Sequence, residues 1–265
     1  MSTDTPYPDF ERLELSFLGD TREVYRAGAG PAIIVMHEVP GLYPGVVEFG
    51  RKLIAAGFTV WMPSLIGQPG REPGPTYVAG SLLRACVARE FAVFATSKNS
   101  PMTSWLRALA RHAHAECGGP GVGAIGMCLT GGFALAMMLE PAVLAPVLSQ
   151  PSLPFPISAA HRRDLGIDEA TLDCVRRRAA EGTPVMGLRF SHDRLVPPER
   201  FQRLRDELGD RFIAVEIDSS PGNPHGNPRM AHSVLVRHMI DTPDSPTRAA
   251  LDRVIAFCQK QLGVS

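Results

Sequence analysis

Short apolar runs alternate with amphipathic, helix-like segments along most of this chain. The apolar runs are rich in β-branched side chains, which is typical of strands buried on both faces of a parallel sheet. They predict strands at residues 32–36, 58–62, 122–127, 143–149, 184–190 and 212–217. Helical spacing of apolar residues predicts helices at 46–56, 82–95, 102–117, 168–181, 198–208 and 246–262. This alternation predicts an α/β fold with a doubly wound, mostly parallel sheet and helices on both faces.

The start of the chain and one later stretch depart from this pattern. Residues 13–17 and 23–26 are two short strand-like segments, so the region 1–30 is expected to form a hairpin. The stretch 150–165 opens with several prolines and is expected to be a loop within the domain. The length suits one large α/β domain, and the prolines are spread over loops instead of forming a linker. We therefore predict a single domain over residues 1–265.

The most informative stretch is 121–140, where an apolar strand is followed, after Cys128, by helical spacing up to Glu140. The turn between strand and helix is rich in glycine, which allows the backbone to approach closely and forces the side chain outward. The free N–H groups at a helix start favour an anion, so a thiol there ionises more easily. Cys128 is therefore either a nucleophile or a buried cysteine packed between strand and helix. This stretch alone leaves both interpretations open.

Polar residues at the ends of other predicted strands bear on this choice, because sites in such sheets lie at the carboxyl ends. Asp193 follows the strand 184–190, and His225 and His232 both follow the last strand. A nucleophile, then an acid, then a histidine is the chain order of an α/β-hydrolase triad, which favours Cys128 as the nucleophile. Asp193 has the alternative role of capping a turn or the next helix. His225 is enclosed by prolines and a glycine, whereas His232 precedes an apolar helical turn.

Composition narrows the classes of function. Lysine plus arginine and aspartate plus glutamate balance at 27 each, which gives no electrostatic reason to expect nucleic acid or an anionic membrane as a partner. The first residues carry no signal-peptide pattern and no apolar run reaches about 18 residues, so neither secretion nor a membrane span is expected. Five widely spaced cysteines favour a reducing cytoplasm over a disulfide framework. No set of metal ligands has convincing spacing, so we expect neither a metal nor another cofactor.

Several motifs together resemble the dienelactone hydrolase family of α/β-hydrolases. The similarity runs from about Ala32 to the last helix. The combination is specific because a cysteine at the strand-to-helix turn is uncommon among these folds. The matching pieces are Val35-Met36-His37-Glu38-Val39-Pro40-Gly41-Leu42, Ala56-Gly57-Phe58, Ile125-Gly126-Met127-Cys128-Leu129 with Gly131-Gly132, His192-Asp193 with Val196-Pro197, and Ala231-His232-Ser233.

The resemblance implies a role for each matching position. It implies that Cys128 is the nucleophile, His232 the base and Asp193 the acid that orients the base. The backbone N–H groups of Val39 and Leu129 would then form the oxyanion hole, in keeping with the rule that the residue after the nucleophile supplies one donor. These roles imply hydrolysis of a small ester or lactone through an acyl-thioester.

The sequence constrains the roles of Glu38 and of the arginines less. The resemblance implies that Glu38 holds the resting thiol and releases it when substrate arrives, whereas the residues alone are equally consistent with a charge on a surface loop. Arg89 is a candidate for binding a substrate carboxylate, or else belongs to a solvated helix face. Where the family has an arginine four residues after the catalytic histidine, this chain has Val236 followed by Arg237. Thr130 replaces the family's usual glycine at the turn, which implies that the helix packs slightly farther from the strand.

The sequence thus predicts a cytoplasmic carboxylic ester hydrolase of the carboxymethylenebutenolidase class. We expect a small-molecule ester or lactone as substrate, no nucleic-acid or membrane partner, and a monomer or small homo-oligomer. One alternative is a thiol redox or sensor protein, against which the chain has no Cys-x-x-Cys motif and no resolving cysteine nearby in sequence. Another is a binding protein that kept the scaffold without the activity.

Overall fold

One eight-stranded sheet organises the computed structural model, which describes residues 5–87 and 100–264. The strands are β1 (Glu11–Phe17), β2 (Asp20–Gly28), β3 (Ala32–Met36), β4 (Thr59–Pro63), β5 (Val122–Met127), β6 (Val143–Ser149), β7 (Val185–Phe190) and β8 (Phe212–Ile217). They lie side by side in the order β1-β2-β4-β3-β5-β6-β7-β8. β1 and β2 form the expected antiparallel hairpin and β2 is antiparallel to β4, whereas all neighbours from β4 to β8 are parallel.

Helices cover both faces of this sheet, which confirms the predicted doubly wound fold. Within the described residues they are α1 (Pro44–Ala55), α2 (Pro75–Val87), α3 (Pro101–Cys117), α4 (Phe133–Met137), α5 (Ala159–Arg163), α6 (Glu169–Ala180), α7 (Pro198–Leu208) and α8 (Pro246–Leu262). Successive residues of β3 contribute to opposite cores. Ile34 and Met36 share one core with α3, and Ile33 and Val35 share the other with α1 and α8. This burial on both faces explains why β3 is apolar throughout.

The order of the strands places the carboxyl end of β3 beside that of β5. β3 pairs in parallel with β4 on one side and with β5 on the other. Along the chain, β4 is added on one side of β3 and β5 on the other, so the strand order reverses its direction at β3. In open α/β sheets, ligands bind in the crevice outside the strand ends at such a point.

The helix after β5 is shorter than the sequence predicts. A 3-10 turn, Cys128–Thr130, comes first, and α4 ends at Met137 instead of continuing to Glu140. Pro141 cannot continue a helix. The guanidinium of Arg178 in α6 binds the carbonyl oxygens that follow the helix at 2.7–2.9 Å, those of Met138, Glu140, Pro141 and Val143. These bonds satisfy groups at the helix end that would otherwise lack partners.

A second boundary differs as well. The sequence predicts a loop up to residue 75 and a helix over 82–95, whereas α2 already begins at Pro75. Proline suits the first turn of a helix, because its missing N–H would have no helical partner there. The part of the predicted helix beyond Val87 lies outside the described residues, and so does Arg89.

Candidate active site

The turn after β5 presents Cys128 at the carboxyl edge of the sheet. Its φ is +58°, a left-handed conformation that a non-glycine residue keeps only where its surroundings enforce it. A Cβ on Gly126 would lie 2.2 Å from the carbonyl oxygen of Thr130, and one on Gly131 would lie 2.6 Å from the Cα of Pro151. Both glycines are therefore required by close backbone approach. The thiol of Cys128 is free and only partly buried, as a nucleophile must be.

Thr130 adds a link between two strands at this turn. Its side chain is buried, and its hydroxyl donates to the carbonyl oxygen of Met36 at 2.8 Å. The same hydroxyl accepts the backbone N–H of Met127 at 3.0 Å. The residue that departs from the family's glycine therefore fastens the end of β5 to the end of β3.

Asp193 and His232 lie next to Cys128. The Oδ2 atom of Asp193 and the Nδ1 atom of His232 are 2.6 Å apart, and His232 lines the same cavity as Cys128. Asp193 is buried, and its Oδ1 accepts the backbone N–H of Leu195 at 2.9 Å, so it stabilises its own turn as well. His225, the other candidate base, is exposed on the loop after β8. The structure therefore brings together Cys128, His232 and Asp193.

The surroundings of His232 favour its protonated form. Burial acts to lower the pKa of this imidazole. Interaction with negative charge on the nearby Cys128 sulfur and the hydrogen bond to Asp193 act in the opposite direction and together outweigh burial. The pKa of His232 is therefore raised well above its usual value of 6.5. A protonated imidazole beside the sulfur can serve as a proton donor.

Glu38 is buried, so the surface-charge interpretation is wrong. One carboxylate oxygen accepts hydrogen bonds from the hydroxyls of Tyr43 and Ser233, the latter at 2.9 Å. The other accepts the side-chain amide of Gln150 at 2.9 Å. In the described part of the chain, no hydrogen bond joins Glu38 to Cys128, although both residues line the same cavity. The carboxylate is thus held by neutral donors from three separate segments.

Tyr43, Gln150 and Ser233, which hold the Glu38 carboxylate, were not predicted as site residues from the sequence. Gln150 directly follows β6 with a φ of +37°, and its side-chain oxygen accepts the backbone N–H of Val234 at 3.2 Å. The rule that located Asp193, a polar residue at the carboxyl end of a parallel strand, would also have found Gln150. The prolines that follow it hid that signal.

His238 supports the main chain of the candidate base. Its Nδ1 accepts the backbone N–H groups of His232 and Ser233, each at 3.2 Å. Burial, followed by the nearby charges of Arg237 and His232, lowers the pKa of His238. The neutral ring can therefore keep accepting these two hydrogen bonds.

Val39 and Leu129 line the same cavity as Cys128. In the described residues, no hydrogen bond uses the backbone N–H of either one, which leaves both donors available to an oxyanion. The loop that carries Val39 is fixed by His37, whose Nε2 accepts the N–H of Leu65 at 3.0 Å. Burial lowers the pKa of His37 to about 4, so its ring is neutral and able to accept.

The candidate site opens into a cavity of about 220 Å³. Its apolar walls include Val78, Phe155 and Leu195. Arg237 also lines it, and within residues 5–87 and 100–264 the guanidinium of this exposed residue has no ion-pair partner. The arrangement can hold a small, mostly apolar acyl group close to one positive charge.

One wall of this cavity is held by a buried arginine. Arg200 of α7 donates to the carbonyl oxygens of Asp164 at 2.8 Å and Pro151 at 2.7 Å. It also donates to those of Pro154 and His161. Burial lowers the pKa of Arg200 to about 10, so the side chain remains charged at neutral pH. Four carbonyl oxygens between residues 151 and 164 thus receive hydrogen bonds from one side chain. The expectation of a loop over the whole of 150–165 is wrong at its end, where α5 (Ala159–Arg163) forms.

Replacing Arg200 by Met should lower the free energy of unfolding by about 3 kcal/mol, because several buried carbonyl oxygens would lose their partners. Urea unfolding at neutral pH measures this loss. Arg205→Met, on the same helix but more exposed and paired with Glu216, is the matched control and should cost less than about 1 kcal/mol. Equal losses in the two variants would contradict the role assigned to Arg200.

Neither a metal cluster nor a membrane span is found in the part of the chain that the structure describes. Within those ranges, no group of three or more His, Cys, Asp or Glu side chains is arranged to hold a metal ion. None of the described helices combines the length and apolar character needed to cross a membrane.

Similarity to known proteins extends over nearly the whole chain. The model of the dienelactone hydrolase family matches residues 20–260, whereas no curated protein sequence gives a significant match. The fold is similar to that of a dienelactone hydrolase from Anabaena variabilis, with a TM-score of 0.62, 15% identity and coverage of 96% of this chain and 99% of the other.

Two further solved structures show the same fold. The α/β-hydrolase GrgF from a Penicillium species has a TM-score of 0.59 at 13% identity and covers 96% of this chain and 99% of its own. A dienelactone hydrolase-like promiscuous phosphotriesterase from metagenomic libraries has a TM-score of 0.57 at 16% identity, with coverage of 94% and 98%. The structural matches establish the α/β-hydrolase fold, and the family match identifies this chain as a member of the dienelactone hydrolase family.

Proposed function

We propose that this chain hydrolyses small esters or lactones through an acyl-thioester on Cys128. Membership of the dienelactone hydrolase family supports ester or lactone hydrolysis. The finer assignment is carried by one observation, the 2.6 Å contact between Asp193 and His232 in the cavity that Cys128 also lines. A nucleophile, its base and the acid that orients the base are related in this way.

Acylation begins with attack of the Cys128 sulfur on the carbonyl carbon. A sulfur–carbon bond forms, and the carbonyl electrons move to the oxygen, which accepts the N–H groups of Val39 and Leu129. When the carbon–oxygen bond breaks, protonated His232 gives its proton to the departing oxygen. In a lactone, this alcohol stays attached to the acyl chain.

Deacylation uses the same groups with water as the nucleophile. Neutral His232 takes a proton from water while the water oxygen attacks the thioester carbon. The sulfur–carbon bond then breaks, the carboxylic acid is released, and the thiolate–imidazolium pair forms again. Asp193 keeps the Nδ1 proton of His232 in place, so that Nε2 faces the reaction in both steps.

We also propose that the preferred substrate is a lactone carrying a carboxylate, as in the carboxymethylenebutenolidase class. The apolar walls of the cavity suit the body of such a molecule, and Arg237 can bind its anionic end. Arg89 remains a second candidate ligand for that carboxylate. The widely spaced cysteines further support a cytoplasmic enzyme, which we propose to be a single domain and a monomer or small homo-oligomer.

The proposed function is tested by steady-state hydrolysis of p-nitrophenyl acetate and of a carboxylate-bearing dienelactone. We expect turnover of both compounds. If neither compound were hydrolysed, the proposal would be contradicted. If Cys128 were then oxidised reversibly by peroxide, the alternative of a thiol sensor would be favoured.

Arg237→Met should separate the two substrates. The KM for the carboxylate-bearing lactone should rise about tenfold with little change in kcat, because binding of the remote charge is lost in ground and transition states alike. The KM for p-nitrophenyl acetate, which has no carboxylate, should stay within about twofold. Arg229→Met, an exposed arginine on the same loop, is the control. An equal rise in KM for both substrates would exclude carboxylate binding by Arg237.

A further inference from the structure

A buried serine contacts both the candidate nucleophile and its base. Ser152, in the loop after β6, has no exposed surface. Its Oγ is 3.6 Å from the Sγ of Cys128 and 3.4 Å from the Nε2 of His232. The steps described above give this hydroxyl no part, although it contacts both reacting side chains.

The backbone fixes Ser152 in this position. Its N–H donates to the carbonyl oxygen of Cys128 at 3.0 Å, which ties the loop directly to the nucleophile. Arg200 binds the carbonyl oxygen of the preceding Pro151 at 2.7 Å. The hydroxyl also lies 3.1 Å from the carbonyl oxygen of Gln150. Since a hydroxyl has one proton and two lone pairs, it can donate to one acceptor while it accepts from another group.

We infer that Ser152 is a positioning residue that holds the Cys128 sulfur on the His232 side of the cavity before substrate arrives. This inference rests on the proposed function of the site. In the resting pair, the Ser152 hydroxyl donates to the thiolate and accepts the Nε2–H of His232. After acylation the sulfur is uncharged, the hydroxyl donates to the carbonyl of Gln150 instead, and His232 is left to activate water.

The resemblance implied that Glu38 holds the thiol, but its carboxylate is hydrogen-bonded to other groups. Its two oxygens accept hydrogen bonds from Tyr43, Ser233 and Gln150. In the described part of the chain, Ser152 is instead the side chain that contacts both the sulfur and the imidazole. The position of the resting sulfur is therefore explained by a neutral donor.

Ser152 is uncharged, so a Ser152→Ala variant loses the hydroxyl without losing a titrating group. The titratable and charged groups around the pair come from three segments. They are Glu38 and Tyr43 after β3, Asp193 after β7, and Arg237 and His238 after β8. All of them remain in a Ser152→Ala variant.

The test is alkylation of Cys128 by iodoacetamide without substrate, followed by mass spectrometry as a function of pH. In Ser152→Ala, the midpoint of the alkylation profile should rise by about one pH unit, because the thiolate loses a donor (one unit corresponds to about 1.4 kcal/mol). For p-nitrophenyl acetate, kcat should fall about tenfold while KM stays within about twofold, since the serine acts on the reacting groups and not on substrate binding.

Two further variants control for structure. Ser245→Ala removes another buried serine hydroxyl, which bonds to Thr247 at the start of α8, and should leave the alkylation profile unchanged. Ser152→Thr keeps the hydroxyl and should retain a profile close to that of the unmodified chain. Thermal melting tests whether each variant is folded.

The outcomes separate this inference from the proposed function. Folded Ser152→Ala with an unaltered alkylation profile and kcat would overturn the role of Ser152, even if the chain is an active hydrolase. A Ser152→Thr profile shifted as far as that of Ser152→Ala would overturn it as well. If the unmodified chain turned over no ester or lactone, the hydrolase proposal would fail, while a shift in the alkylation profile would still support the positioning role.

Discussion

Cys128→Ala should lose ester and lactone hydrolysis by about 10⁴-fold or more in kcat, because it removes the atom that forms the covalent intermediate. The oxyanion donors and the cavity remain in this variant, so substrate binding should be largely retained. Steady-state kinetics on p-nitrophenyl acetate and a dienelactone measure the loss. It should greatly exceed the loss in any variant of a residue that only supports the site.

The control for this variant is Cys174→Ala. Cys174 lies on α6, is partly buried and is not among the residues lining the cavity. Its replacement should change kcat by less than about twofold. If Cys128→Ala kept the activity of the unmodified chain, the assignment of the nucleophile would be excluded.

Asp193→Asn should lower kcat by about 10³-fold or more. The amide cannot hold the Nδ1 proton as the carboxylate does, so His232 is no longer fixed in the tautomer that presents Nε2 to the sulfur. The backbone N–H of Leu195 can still be accepted by the amide oxygen, which should preserve the turn. The melting temperature should therefore change little, whereas kcat should fall strongly.

The same variant makes a prediction about pH. The hydrogen bond to Asp193 is one of the causes that raise the pKa of His232, after the charge on Cys128. Because the pKa of His232 is higher in the folded state than its unfolded value of about 6.5, protonated His232 stabilises the folded chain below pH 6.5. This stabilisation is lost as the pH rises through the folded-state pKa. In the unmodified chain, the alkaline limb of kcat/KM should lie above pH 6.5. In Asp193→Asn it should move to lower pH, and an unmoved limb in a folded variant would contradict this role of Asp193.

The sheet, and the positions of Cys128, Asp193 and His232 at its edge, could be predicted because their signals are local. β3, β5 and β6 have the bounds that their apolar runs predict. Cys128 and Asp193 closely follow β5 and β7, and His232 lies in the loop after β8, so the rule for strand ends points to all three segments. The choice of His232 over His225 came from the resemblance, because the two histidines share one loop and local spacing does not separate them.

Apart from Gln150, the supporting residues could not be predicted because most of their contacts are distant in the sequence. Glu38 is buried by donors at positions 43, 150 and 233, so its surroundings do not follow from its own neighbours. The early end of α4 is accompanied by bonds from Arg178, which belongs to another helix. Ser152 was hidden in a stretch whose prolines indicated only irregular structure.

Covalent catalysis by Cys128 is the central claim, and it is tested most directly by trapping the intermediate. The chain is mixed with p-nitrophenyl acetate, quenched with acid within the first turnovers, and measured by intact and peptide mass spectrometry. We predict one added acetyl group on the peptide that contains Cys128, removable by hydroxylamine as a thioester is. Rapid turnover without acetylation, or acetylation confined to another residue, would contradict covalent catalysis by Cys128.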